Sequence, residues 1–138
     1  MQLKDVMTTK VQLTDPTAKL KEAAISMRDG NFGLLPVGAN DRLVGTITDR
    51  DIAVRAVAEG KDPNTTTVSD VMSKGIHYCF EDQEVEEAAR LMSEAQVRRL
   101  PVLDRDKRLV GIVALADLAT EARLGAPAGV ALTGVSKN

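Results

Sequence analysis

Gly45-Thr46-Ile47-Thr48-Asp49-Arg50-Asp51 joins the end of an apolar strand to the start of a helix, and Gly111-Ile112-Val113-Ala114-Leu115-Ala116-Asp117 does the same 66 residues later. In the first stretch Val44 and Ile47 supply strand character. Ile52-Ala53-Val54 then continues into an Ala-rich run that closes at Glu59-Gly60. Thr48 stands where an N-cap belongs and Asp51 follows three residues on, the spacing of a capping box with Asp in place of Glu. The same hydroxyl and carboxylate, turned toward a cleft at a helix start, could hold the vicinal hydroxyls of a ribose. A cap alone and a cap that doubles as a ligand site are both consistent with this stretch.

Working outward, the whole chain proves to be written twice. Asp5-Val6-Met7 returns as Asp70-Val71-Met72, Ala23-Ala24 as Ala88-Ala89, Met27 as Met92, and Leu35-Pro36-Val37 as Leu100-Pro101-Val102, all at a shift of 65. From Arg42-Leu43-Val44-Gly45 and Arg108-Leu109-Val110-Gly111 onward the shift is 66, and Asp51 maps to Asp117. The extra residue falls in Asp104-Arg105-Asp106-Lys107, a turn, where insertions are tolerated.

Each copy predicts one order of elements. A short opening (Leu3 to Met7, Val68 to Met72) leads to a brief strand, Val11 to Leu13 or Ile76 to Phe80. A helix follows, begun in the first copy by Asp15-Pro16, with proline in the first turn where its missing N–H does no harm. Leu20, Ala23, Ala24 and Met27, like Val85, Ala88, Ala89 and Met92, recur at i, i+3, i+4, i+7, so each helix has one small-residue stripe to bury. A hairpin comes next, Leu34 to Val37 with Leu43 to Ile47, repeated as Leu100 to Leu103 with Leu109 to Val113. The closing helix runs from Asp49 to Ala58 and from Leu115 to Arg123. Residues 1–60 thus form one copy, 61–67 a polar connector and 68–123 the second copy. Residues 124–138, Gly/Ala-rich with Pro127, are expected to form a loose tail.

A unit of about 55 residues buries a marginal core alone. Two copies related by a pseudo-twofold could cover each other and leave a cleft, a favoured place for a ligand. The full 138 residues suit one such arrangement without staples. With aromatics at 2%, the core must be aliphatic. A net charge of −2 gives no field for nucleic acid or anionic membrane, although Arg98, Arg99, Arg105 and Arg108 could form a local basic patch. Cys79 is the only cysteine, so no intrachain disulfide forms, which fits a reducing cytoplasm. No apolar run has the length of a signal peptide or a membrane span.

The paired motifs, Asp-Val-Met, Leu-Pro-Val and Gly-x-x-Thr-x-x-Asp, resemble those of the tandem CBS-domain pair, or Bateman module, over about Leu3 to Ala122. The resemblance implies an α/β (α+β) fold of two βαββα repeats with pseudo-twofold symmetry. It implies no enzyme, but a regulatory module sensing AMP, ADP, ATP or S-adenosylmethionine between the repeats. It also implies a homodimer, a flat disc of four repeats, and an unknown downstream protein; some stand-alone bacterial members are associated with stress responses. Thr48 and Asp51 would then contact ribose. In the second copy Asp117 remains but Ala114 replaces the hydroxyl residue, so one good site is expected, with a weak or empty one at Asp117. By the same resemblance, adenine would rest near Val11, Leu35, Pro36 and Val37. The Arg98-Arg99 pair would reach phosphates, with Arg50 a further candidate.

Other chemistry lacks its parts. His77 and Cys79 are two ligands, short of a metal set. One His and one Cys define no nucleophile with its base. Walker-type loops are missing from the sequence. The competing reading is a ligand-free interaction scaffold in which Thr48 and Asp51 act only as a cap.

Overall fold

The computed structural model describes residues 1–121; the expected tail, 124–138, lies outside the described residues. The chain forms two compact units, one of Gln12–Ile76 and one of Met1–Val11 with the chain from His77 onward. The sequence copy and the compact unit therefore differ by one exchanged segment: each opening packs with the body of the other copy.

In the unit of residues 12–76, α1 (Leu20–Gly30) precedes the antiparallel hairpin β1 (Leu34–Ala39) and β2 (Arg42–Thr48). The hairpin turns through Asn40 and Asp41, both at positive φ (53° and 66°), a conformation that Asn and Asp tolerate and that suits the strand twist. The closing helix α2 is α-helical over Asp49–Asp51 and π-wound over Ile52–Val57. Leu20, Ala23, Met27, Leu35, Val37, Ile47 and Ala56 fill the core, joined by Val68 and Val71 of the second copy's opening.

The unit completed by Met1–Val11 repeats this plan with β3 (Cys79–Phe80), α3 (Val85–Ala95), β4 (Arg99–Leu103), β5 (Leu109–Ala114) and α4 (Leu115–Glu121). Its sheet runs β3-β4-β5, with β3 parallel to β4. Leu3 lies in the core with Val85, Ala88, Met92, Val102 and Val113. The longer hairpin turn carries Arg105, whose guanidinium pairs with Asp82 (2.8 and 2.9 Å) and lies 4.2 Å from the centre of the Phe80 ring.

Two expectations about the first copy need correction. Val11 to Leu13 is not a strand; pairing is reduced to a bridge between Thr14 and Val37. The second copy extends its ladder through the Glu81 N–H to the Leu103 carbonyl at 2.8 Å, and Pro16 occupies the position of Glu81 without an N–H to donate. Asp15-Pro16 also does not begin α1. The Asp15 carboxylate accepts from the Thr17 N–H and hydroxyl (2.8 and 2.6 Å), closing a separate turn, and the helix starts at Leu20.

The openings are held by the same devices in both units. Thr46 and Ser73 exchange backbone hydrogen bonds (3.0 and 2.8 Å), as do Ile112 and Thr8 (3.0 and 2.9 Å), so each opening lies on a strand edge. Helix starts are capped from afar: the Leu20 N–H reaches the Thr66 carbonyl and the Val85 N–H that of Met1. A Cβ on Gly45 would sit 2.8 Å from Met72 Sδ and 2.9 Å from the Ser73 carbonyl oxygen. On Gly111 it would sit 2.5 Å from Met7 Sδ. The motif glycine and the motif methionine are thus one contact. Gly45→Ala is expected to destabilise the chain by about 1–3 kcal/mol through overpacking, read as a lower melting temperature. A melt unchanged from the parent would mean that the opening moves aside freely.

Candidate functional site

Thr48 ends β2 in extended conformation (φ −116°, ψ 163°), and the capping box is formed in full. Thr48 Oγ1 accepts from the Asp51 N–H at 3.0 Å, and the Thr48 N–H donates to Asp51 Oδ2 at 2.9 Å. Neither side chain is buried; both are half-exposed. The cap uses Thr48 Oγ1 as an acceptor only, leaving its hydroxyl hydrogen to donate elsewhere. Asp51 Oδ1 takes the Ser73 hydroxyl at 3.4 Å, a long and weak bond. The arrangement therefore presents one hydroxyl donor and one weakly engaged carboxylate oxygen, which is what a pair of vicinal hydroxyls needs.

Ser73 and Arg55 are site neighbours that sequence reading did not find. Arg55 Nη1 donates to the carbonyls of Val71 and Met72 (3.1 and 3.2 Å) and reaches Ser73 Oγ at 3.4 Å, fastening the opening segment beside Asp51. The recurrence of Asp-Val-Met marked that segment, but not where it docks.

The remaining expected residues are distributed less simply. Leu35 and Val37 are 1% and 0% exposed and belong to the core. Pro36 is also buried, and its carbonyl accepts from the Thr14 N–H at 3.0 Å. Arg50 is exposed, with its backbone N–H on Asp49 Oδ1. Val11, half-buried, belongs to the compact unit of Asp117 rather than that of Thr48.

In the unit completed by Met1–Val11, Asp117 Oδ2 accepts from the Ala114 N–H at 2.8 Å, half of the capping box. Arg98 is exposed and its carbonyl accepts from the Leu115 N–H at 2.7 Å. Arg99 is half-buried. Burial draws its guanidinium pKa down, and the Asp117 carboxylate opposes that shift. Cys79 is 2% exposed, and burial with the nearby Glu87 pushes its thiol up to about 11, which keeps it protonated and unreactive at neutral pH. A groove of about 470 Å³ lined by Tyr78, Gln83, Glu87, Arg90 and Glu94, among others, contains none of the expected site residues. Among the described residues, no three His, Cys, Asp or Glu side chains are grouped to hold a metal, and no helix is long and apolar enough to cross a membrane.

Known proteins carry the same paired plan. The family described as CBS domain matches residues 3–57 and 68–123. The CBS domain-containing protein YhcV of Bacillus subtilis is 44% identical over 134 residues, covering 97% of this chain and 94% of that protein. The crystal structure of Hypoxic Response Protein I with two coordinated zinc ions superposes with a TM-score of 0.80 at 40% identity, covering 87% of this chain and 98% of that one. The crystal structure of CBSX2 in complex with AMP gives a TM-score of 0.77 at 26% identity, covering 89% and 96%. The chain belongs to the CBS-domain family and carries the domain twice in tandem.

Proposed function

We propose that this chain is a non-enzymatic, cytoplasmic regulatory module whose Thr48 and Asp51 hold the ribose of an adenosine-containing ligand (AMP, ADP, ATP or S-adenosylmethionine). The observation that carries this reading is the half-exposed pair itself, with Asp51 Oδ1 engaged by a single 3.4 Å bond from Ser73. The AMP bound to the similar CBSX2 supports the choice of ligand class. Arg50, exposed and in the same compact unit, serves as the phosphate contact in this reading. The exposed Val54 and Val57 on α2 support a homodimer, and the likeness to a hypoxic response protein of Mycobacterium tuberculosis supports a role in stress. Regulation follows if the ligand has unequal affinity for two states of the module read by a downstream protein.

A thermal-shift screen of AMP, ADP, ATP, NAD and S-adenosylmethionine tests the reading. Ligand at a hundred times its dissociation constant adds about 2.7 kcal/mol, which for a chain of this size raises the melting temperature by roughly 10 °C. The ligand-free scaffold is the second reading, favoured by the complete capping box, which already employs Thr48 Oγ1 and Asp51 Oδ2. It predicts no shift with any of the five compounds.

A further inference from the structure

Ser73 stands between two charged groups of opposite sign. Arg55 Nη1 reaches its Oγ at 3.4 Å, and Asp51 Oδ1 lies 3.4 Å from the same atom. A guanidinium only donates and a carboxylate only accepts, so the Ser73 hydroxyl accepts from Arg55 and gives its own hydrogen to Asp51. The direction of the relay is thereby fixed. Its far end is anchored on main chain: the same Nη1 holds the carbonyls of Val71 and Met72 at 3.1 and 3.2 Å. Ser73 in turn exchanges two backbone hydrogen bonds with Thr46, two residues before Thr48 on β2. Arg55 lies in the π-wound stretch Ile52–Val57, a winding that is rare and concentrated at functional sites. The repeat does not preserve the device, since Glu121 stands at the position of Arg55.

A carboxylate offers about four lone-pair positions. At Asp51 one is taken by the Thr48 N–H and one by the Ser73 hydroxyl, which leaves two, the number that a vicinal diol fills. A ribose therefore need not displace Ser73, whose hydroxyl orients the carboxylate that would receive it. Both contacts to Ser73 lie at the long end of the hydrogen-bond range, so the relay has slack to take up. Resting on the ribose reading of Thr48 and Asp51, we infer that Ser73, held by Arg55, is a positioning residue that couples nucleotide binding to the docking of residues 71–73. The site binds tightly only while that segment is docked, and bound nucleotide holds it there, since linkage is reciprocal. Lys74, Gly75 and Ile76 then lead into the unit that resumes at His77, so occupancy at Asp51 acts on the root of the connection between the copies.

Amide hydrogen exchange and isothermal titration of the full chain with AMP test this. Saturating AMP is expected to slow exchange at the Thr46 and Ser73 amides about tenfold more than at the amides of α1. Ser73→Ala is expected to weaken AMP binding about five- to twentyfold, less than a full-strength hydrogen bond to a charged group would give. It should also cut the extra protection to below about threefold, and Arg55→Gln should do the same. Ser73→Thr, which keeps the hydroxyl, should stay within about twofold of the parent in affinity. A hydroxyl that only stabilised the fold would speed basal exchange in Ser73→Ala and leave AMP affinity unchanged. That result overturns the inference, as does AMP binding by the parent with no extra protection at Thr46 and Ser73. Should Ser73→Ala not fold, Arg55→Gln decides by the same two measurements. In those outcomes AMP still binds and only the coupling falls; no AMP binding by the parent overturns the ribose reading and the coupling with it.

Discussion

Asp51→Ala is expected to weaken AMP binding at least a hundredfold while the chain stays folded. A carboxylate that accepts two hydroxyl donors makes two charged hydrogen bonds, each worth about 1.5–3 kcal/mol. Their sum corresponds to roughly 10²–10⁴ in affinity. The structural cost is smaller and separable. The Thr48 N–H loses its acceptor at 2.9 Å, a capping loss of about 0.5–2 kcal/mol, out of a total stability of about 5–15 kcal/mol. Asp51→Asn sharpens the distinction, since the amide oxygen can still accept from Thr48 while its NH₂ group meets the ribose with donors instead of acceptors. Calorimetry should therefore find both variants folded and both deficient in AMP binding. Wild-type affinity in either variant would remove Asp51 from the ligand site and leave it a cap.

How much could be read in advance follows from the range of the interactions. The capping box at Thr48 and Asp51 spans three residues and uses only its own backbone, so spacing alone located it. Both hairpins, the buried face of α3 and that of α1 apart from Ala24, which is exposed, were legible for the same reason: period and turn chemistry are local. The start of α1 was not, because its first N–H groups are satisfied by the carbonyls of Thr66 and Pro63, more than forty residues away. No side chain near Lys19 announces that start. The exchanged openings were hidden likewise. Asp-Val-Met was visible as a repeat, yet the Met72 and Gly45 contact joins opposite copies, and a single sequence orders residues without pairing them. Arg99 illustrates a third limit. Its place beside Leu100-Pro101-Val102 was visible in the sequence, whereas its cross-strand partner Ala114 is set by the strand register, which a single sequence does not show.

Leu3→Ala should be the most damaging single truncation near the N-terminus, costing about 2–5 kcal/mol. Position alone argues the reverse, since the first residues of a domain are usually loose. Leu3, however, is 0% exposed and packs in the cluster of Val85, Ala88 and Met92. Its backbone is fixed as well, with the Leu3 N–H on the Gln83 carbonyl at 2.9 Å and the Lys4 N–H on that of Glu81 at 3.0 Å. The segment cannot relax around the cavity without breaking those bonds, so little of the lost volume is recovered. Val68, its counterpart at 0% exposure, lies in the other cluster. Val68→Ala removes two carbons instead of three and should cost less. Because the two sites share no packing cluster, their effects should add to within about 0.5 kcal/mol. Urea denaturation of the two single variants and the double variant measures all three quantities. A Leu3→Ala midpoint equal to that of the parent would mean that the opening is a surface strap, and the exchange between copies would lose its energetic basis.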